Sequence, residues 1–333
     1  MDFARFPRFP LLCGPTPIEP LTRLNAELGG ARIFVKRDDF TGIGAGGNKL
    51  RKLEFLLGEA LAQAADTVIT VGARQSNHAR LTAAACARAG LRCEMVLPRL
   101  VPREDDDYLL NGNILLDELF GAIVHDLPGD ADVAGFIAER LAKLSGEVRK
   151  VYFCPVGGSS AVGALGYAAC AEEIEQQART LGIAFSCTTL ANGSSGTHAG
   201  LAAGFAALGK GAGFVKSYAV YSDEAKTRDT TFEKTQETLA LLAPDVRVSK
   251  DDIHVDGRHR GEGYGIPTQE MVEAVRLMAR CEGLLLDPVY SGKAFAGLLH
   301  DIRAGHFKPG EAVLFVMTGG VPGLYAYRSA FEG

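Results

Sequence analysis

Several short stretches of the chain combine residue types able to do chemistry. The densest is Thr41-Gly42-Ile43-Gly44-Ala45-Gly46-Gly47-Asn48-Lys49-Leu50. Gly42, Gly44 and Gly47 match the G-x-G-x-x-G spacing of a dinucleotide-binding turn, which would make the chain a nicotinamide oxidoreductase. However, charged Lys36-Arg37-Asp38-Asp39 stands where that motif needs a tight turn directly after its strand. What the stretch does supply is a glycine-rich loop that delivers Lys49 to the start of an amphipathic helix. The positive end of a helix dipole lowers an amine's pKa, and a neutral amine condenses with a carbonyl to a Schiff base. The competing reading is a solvated lysine at a helix start.

A second stretch, Asn192-Gly193-Ser194-Ser195-Gly196-Thr197-His198-Ala199-Gly200, follows an apolar strand and opens a helix. Small hydroxyl residues and glycines leave backbone N–H groups free to converge on an anion at a helix N-terminus, so residues 193–197 read as a phosphate cup or, failing that, a plain turn. The stretch lacks the lysine of a P-loop. The near match Gly204–Gly211 lacks the terminal hydroxyl and sits at a helix end, so it is set aside. In Arg74-Gln75-Ser76-Asn77-His78, amide and hydroxyl groups suit a carboxylate or a phenolic oxygen, or else Ser76 or Asn77 is an ordinary N-cap. Tyr264 and Tyr290 lie in polar, small-residue contexts, as phenols over a ligand ring or as packing residues. Thr318-Gly319-Gly320 follows the apolar strand 313–317, at the strand end where α/β sheets gather ligands.

Alternation of elements must bring these stretches together. Apolar strand candidates fall at 32–36, 67–71, 93–97, 122–125, 151–154, 188–191, 218–221 and 313–317. Helical patterns fill the gaps, notably 48–63, with Leu50, Leu53, Leu57 and Leu61 beside polar Arg51, Glu54 and Glu59, and the alanine-rich stretches 76–90 and 159–178. Such alternation predicts an α/β fold with parallel sheets buried on both faces. The acidic run Glu104–Asp107 reads as a helix N-terminus, and Tyr221–Gly265 as the most loop-like part of the chain.

Composition narrows the partners. At 333 residues and about 150 per domain, two domains are expected. The 40 glycines are about 12% of the chain against an average of about 7%, which fits many tight turns or close backbone approach to a ligand. A net charge of −5 offers no field for nucleic acid or an anionic membrane. No window nears the roughly 18 apolar residues of a membrane span, and no secretory leader is visible. Seven cysteines without CxxC spacing read as reduced thiols rather than disulfides or a zinc site, placing the chain in the cytoplasm.

Taken together, a Schiff-base lysine, a Ser/Gly phosphate cup and a polar turn after the last strand are the three grips pyridoxal phosphate needs. The chain resembles the pyridoxal-phosphate enzymes of the tryptophan-synthase-β fold (fold type II), in the D-cysteine desulfhydrase and 1-aminocyclopropane-1-carboxylate deaminase branch. The resemblance runs from Pro15-Thr16-Pro17 through Gly46-Gly47-Asn48-Lys49, Gln75-Ser76-Asn77-His78, Pro155-Val156-Gly157-Gly158-Ser159 and Gly193–Gly200 to Asp287-Pro288-Val289-Tyr290 and Thr318-Gly319-Gly320. It implies two open, twisted, mostly parallel sheets flanked by helices. It further implies a larger cofactor-binding domain of 1–50 plus 162–333, a smaller domain of 51–161, and a homodimer.

By the same resemblance, Lys49 is the Schiff-base lysine and proton-transfer base, and Asn77 bonds the cofactor's phenolic oxygen. Ser76, Asn77 and His78 hold the substrate, with Ser76 also catalytic. Ser194, Ser195, Gly196 and Thr197 bind the phosphate, and Lys52 adds a charge there. Tyr264 and Tyr290 flank the reacting amino acid, while Ser291 and Thr318 lie near the pyridine nitrogen. The cyclopropane deaminases carry Glu after the tyrosine of Asp-Pro-Val-Tyr and Leu before the last Gly-Gly. Here Ser291 and Thr318 stand instead, the desulfhydrase pattern. The implied reaction is α,β-elimination, first on D-cysteine to give pyruvate, sulfide and ammonia. L-cysteate sulfo-lyase and cyclopropane deaminase activities are the alternatives within the branch, and a non-catalytic small-molecule binder is the alternative outside it.

Overall fold

The computed structural model describes residues 1–332. In chain order the elements are β1 (Ile18–Pro20), α1 (Thr22–Leu28), β2 (Arg32–Lys36), α2 (Lys49–Ala62), β3 (Thr67–Val71), α3 (Asn77–Ala89) and β4 (Arg92–Pro98). Next come α4 (Asp106–Leu110), α5 (Asn113–Leu119), β5 (Ile123–Leu127), α6 (Val133–Gly146), β6 (Val151–Cys154), α7 (Ala161–Leu181), β7 (Phe185–Asn192) and α8 (Gly196–Ala207). The chain ends with β8 (Val215–Ala219), α9 (Glu224–Leu242), β9 (His254–Asp256), α10 (Gln269–Glu282), α11 (Ser291–Arg303), β10 (Ala312–Val316) and α12 (Pro322–Ala326).

Ten strands form two sheets, ordered β1-β2-β10-β7-β8-β9 and β5-β4-β3-β6. Every pairing is parallel except β1 with β2. Strand β10 shows why its sequence is apolar without alternation. Val313 and Phe315 pack into the core under α10 and α11, while Leu314 and Val316 pack on the opposite face against α7 and α8. A strand covered on both faces gains nothing from polar alternation. Among the described residues no helix is long and apolar enough to cross a membrane.

Two expectations need correction. Residues 221–265 are not chiefly loop, because α9 runs for 19 residues through them. Its buried face is built of Thr227, Thr231, Thr235 and Thr238 over most of its length, with Leu239 and Leu242 only at the end, which hides it from an apolar-periodicity test. Thr231, Thr235 and Thr238 donate their hydroxyls to the carbonyl four residues back, at 2.7, 2.7 and 2.6 Å. Each of these three hydroxyls is satisfied within the helix, leaving the methyl groups to pack, while the buried Thr227 Oγ1 has no partner among the described residues. In α2, the polar side is buried along with the leucine stripe. Arg51 grips Asp38 through two bonds of 2.9 Å and also reaches Glu173. The Arg51 guanidinium holds the Asp38 carboxyl below its usual range against the burial that opposes it. Lys36-Arg37-Asp38-Asp39 is therefore part of an ion network that fixes the start of α2 against β2. Leu61, at the far end of the stripe, is exposed.

Candidate active site

The carboxyl ends of β3, β4, β6 and β7 and the turn after β10 open onto one cavity of about 540 Å³, at the edge of the sheets where ligands collect in open α/β folds. Lys49, Ser76, Asn77, His78, Ser194, Ser195, Thr197, Tyr264, Tyr290 and Thr318 all line it. Lys52, Gly196 and Ser291 do not; Lys52 and Gly196 lie just behind the wall.

The glycine-rich loop is a rigid bracket. Thr41 Oγ1 accepts from the Gly47 N–H (2.8 Å) and donates to its carbonyl (3.0 Å), and the Asn48 N–H donates to the Thr318 carbonyl at 3.0 Å. Gly46 has φ +67°, and a Cβ there would stand 2.0 Å from the Asp39 carbonyl oxygen. The loop thus ties Lys49, first residue of α2, to the end of β10 and does not form a dinucleotide turn. Burial lowers the Lys49 amine to about pH 8, although Asp287 pulls the other way. Lys49 is half-buried and lines the cavity rather than the outer surface.

Ser76 is the N-cap of α3, accepting from the Ala79 N–H at 3.1 Å, so the capping reading holds while the residue still faces the cavity. His78 Nε2 lies 2.8 Å from Thr70 Oγ1. Burial, reinforced by Lys49 and Lys52, keeps its imidazole well below the usual pKa and therefore neutral. Asn77 Oδ1 accepts from Asn113 Nδ2 at 3.1 Å.

At 193–197 the chain enters α8 through Ser195, a non-glycine residue at φ +68° whose side chain does not cap the helix. The Gly196 N–H donates to the Ser194 carbonyl at 2.9 Å, the Thr197 and His198 amides have no helical partner among the described residues, and a left-handed residue at this point curls successive amides toward one spot. Asn192, at the end of β7, holds the turn by accepting from the Ser195 N–H at 3.1 Å. Lys52 Nζ sits behind the turn, donating to Gly157 O and Ser159 Oγ, both at 3.1 Å, and forms no ion pair among the described residues. Burial, with Lys49 and Lys234 adding to it, drives its pKa well below the ordinary value. A buried amine with no carboxylate beside it, set against an uncapped helix N-terminus, is an environment in which an anion would restore the ammonium form and be held by it.

Tyr264 and Tyr290 meet hydroxyl to hydroxyl at 2.6 Å, and burial raises both phenols, so they are proton-bearing at neutral pH. Ser291 Oγ is taken up by Asp287, donating to Oδ1 at 2.6 Å and accepting from the Asp287 N–H at 2.8 Å. Asp287 also accepts from the N–H groups of Val289, Tyr290 and Ser291. Asp287, Asn192, Ser159 and Asn48 carried no role in the sequence reading. Asp287 had a signal, a carboxylate opening the Asp-Pro-Val-Tyr turn that leads into α11, which is the pattern of a residue that holds a turn through its N–H groups.

The profile of the family described as "Pyridoxal-phosphate dependent enzyme" matches residues 10–319. The chain is 42% identical over 326 residues to a D-cysteine desulfhydrase of Serratia proteamaculans, covering 98% of this chain and 97% of that one. It is 44% identical over 330 residues to a D-cysteine desulfhydrase of Klebsiella pneumoniae, covering 98% of each. Its structure is similar to that of an "ACC deaminase homologue", with TM-score 0.88, 37% identity, and coverage of 98% of this chain and 96% of that one. A match to O-ureido-L-serine synthase, at TM-score 0.66 and 18% identity, shares the fold.

The site fits the group in the family's description. The buried Lys52 amine and the Thr197 and His198 amides at the start of α8 match a phosphate, and the half-buried, cavity-lining Lys49 amine of lowered pKa matches an aldehyde. The wall leaves no slack, since a Cβ on Gly157 would meet Ser194 Oγ at 2.1 Å. Fold, site chemistry and sequence similarity over nearly the whole length agree, and the chain belongs to the pyridoxal-phosphate dependent enzymes.

Proposed function

We propose that this chain is a carbon–sulfur lyase that converts D-cysteine and one water to pyruvate, sulfide and ammonia by α,β-elimination. The Cα–H, Cβ–S and Cα–N bonds break, sulfur leaves with the electron pair of the Cβ–S bond, Cβ takes up a proton to become the methyl group, and the oxygen of water replaces nitrogen as the keto oxygen. The observation that carries the reading is the pair of neutral hydroxyl residues, Ser291 and Thr318, in a chain that follows desulfhydrases from end to end.

When bound, the cofactor supplies an electron sink for the pair left at Cα. Lys49 holds it and, as an amine of pKa near 8, accepts the α-proton. Ser194, Ser195, Gly196, Thr197 and Lys52 hold the phosphate, and Asn77 holds the ring oxygen. Ser76 orients the substrate carboxylate with His78, whose neutral ring adds no charge. The Tyr264–Tyr290 pair keeps a proton at its hydroxyls for the departing sulfur. Ser291, bound to Asp287, bears on the ring through that turn rather than by direct contact, and Thr318 borders the cavity itself. In this reading 51–161 forms the smaller domain, around which 1–50 and 162–333 build the larger one.

A second reading, L-cysteate sulfo-lyase, is favoured by Lys226 and Lys234. Both line the cavity and pair with no carboxylate among the described residues, so they suit a leaving group that carries its own negative charge. A panel of D- and L-cysteine, L-cysteate, D-serine and 1-aminocyclopropane-1-carboxylate, assayed for pyruvate or 2-oxobutyrate, tests both. Highest kcat/KM is expected for D-cysteine. Higher kcat/KM for 2-oxobutyrate formation would remove the weight placed on Ser291 and Thr318.

Loading of the cofactor should depend on pH through Lys49, because the neutral amine is the form that attacks. Its rate should rise through about pH 8 and level off above it. Asp287→Asn removes an attraction that favours the ammonium and should move the midpoint to lower pH. Stopped-flow absorbance across a pH series measures both.

The homodimer and cytoplasmic location belong to the same proposal. Leu110, Leu115 and Leu119 of α4 and α5 and Tyr325 of the adjoining α12 are large exposed apolar side chains, of the kind an interface covers. Seven free thiols suit a reducing compartment. Sedimentation equilibrium gives the oligomeric state.

A further inference from the structure

A primary amide can face a ligand with its N–H₂ or with its carbonyl, and the two ends do opposite things to an anionic oxygen. For Asn77 the choice is made outside the cavity. Asn113, fully buried at the start of α5, donates Nδ2 to Asn77 Oδ1 at 3.1 Å and to the Gln75 carbonyl at 3.2 Å. Its own N–H donates to Gln75 Oε1 at 2.9 Å. Gln75 Nε2 in turn donates to the carbonyls of Tyr108 and Asn111, at 2.6 and 2.9 Å.

Each amide in this chain is oriented by a backbone group that can play one role only. The Tyr108 and Asn111 carbonyls only accept, so Gln75 must turn its N–H₂ to them and its Oε1 to the Asn113 N–H. The Gln75 carbonyl also only accepts, so Asn113 must present Nδ2 there. That same Nδ2 then claims Asn77 Oδ1, leaving the Asn77 N–H₂ as the end that faces the cavity. The arrangement carries a cost, since Asn113 Oδ1 is buried with no partner among the described residues, a penalty of the kind protein interiors usually avoid. Turning the Asn113 amide would instead set that oxygen against the Gln75 carbonyl.

We infer that Asn113 is a positioning residue, which through Gln75 and Asn77 fixes a hydrogen-bond donor, and never an acceptor, against the ring oxygen of the cofactor. The inference rests on the reading of Asn77 given above. A donor at that oxygen stabilises its anionic form and with it the visible absorbance of the bound cofactor over the near-ultraviolet band.

Asn113→Leu, of similar volume and uncharged, removes the donor without adding a field. Its holoenzyme should show a visible to near-ultraviolet ratio about fivefold lower and a cofactor Kd about fivefold higher, as expected when one modest hydrogen bond loses its bias. A role confined to packing would lower the melting temperature of the cofactor-free chain and leave the ratio alone, which would overturn the inference. Asn77→Leu serves as the reference. If it shifts ratio and Kd while Asn113→Leu does not, the positioning role is wrong and Asn77 keeps its own. If neither variant shifts them, the Asn77 reading itself falls. Should Asn113→Leu not fold, Asn113→Ala gives the same comparison, and wild-type values for it would also overturn the proposal.

Discussion

Replacing Lys49 with alanine should reduce turnover of D-cysteine by at least about a thousandfold, while the cofactor stays bound without a covalent link. Two groups of interactions make the difference. The phosphate cup at 193–197, Lys52 and Asn77 are untouched by the substitution and retain the cofactor. The proton at Cα, however, loses its acceptor. Lys52 is held at Gly157 and Ser159 behind the wall, and Lys226 and Lys234 come from α9 rather than from the loop tied to β10. None of the three can take over the position of Lys49. Borohydride treatment provides the companion measurement, since it should fix the cofactor to the Lys49 peptide of the wild type and to no peptide of the variant. A Lys49→Ala protein with near wild-type kcat would take Lys49 out of the mechanism.

Gly196→Ala should weaken cofactor binding by about a hundredfold, equivalent to about 2.7 kcal/mol. The backbone at Gly196 is ordinary helix, so strain is not the cause; space is. A Cβ there would lie 2.5 Å from Ser159 Oγ and 2.9 Å from Lys52 Nζ. Ser159 and Lys52 bond each other, and Ser159 also bonds Ser194 at 2.8 Å. One methyl group therefore displaces the hydroxyl, the ammonium and the cup together. Loss of the ligand also removes the stabilisation that binding adds by mass action, so the melting temperature in excess cofactor should fall toward that of the cofactor-free chain. Gly146→Ala, where nothing lies within 4 Å, is the control and should leave affinity unchanged. Wild-type affinity in Gly196→Ala would show that the phosphate sits elsewhere.

Near neighbours decide hydrophobic periodicity, the glycine pattern and helix caps, and these were legible in residue order alone. The strands at 32–36, 67–71 and 151–154 lie where the apolar runs put them. β10 could be read as buried on both faces because its run never alternates. Lys49 and the 193–197 turn could be picked out because a helix start after glycines or small hydroxyls restricts what the local backbone can offer. Even the acidic run across the start of α4 behaved as its charges required, with Asp105 capping the helix through the Tyr108 N–H at 3.1 Å and Asp106 and Asp107 in the first turn.

Tertiary structure alone decided the environment of each polar group, because desolvation and pairing depend on residues far away in the chain. Nothing near Lys52 in sequence says that its ammonium is buried beside residues 157, 159 and 196 with no carboxylate. Nothing near Arg51 says that its partners are Asp38 and Glu173. Helix α9 escaped notice because threonine hydroxyls that bond their own helix turn a polar sequence into a packable face. Asp287 and Asn113 escaped for a related reason: an aspartate before a helix and an asparagine in a short one are commonplace until the fold brings them to Ser291 and Asn77. Residue order determined which groups could do this chemistry. Only the meeting of strand ends from both sheets, which brings residues more than 200 positions apart to one cavity, decided which of them are charged, which donate, and toward what.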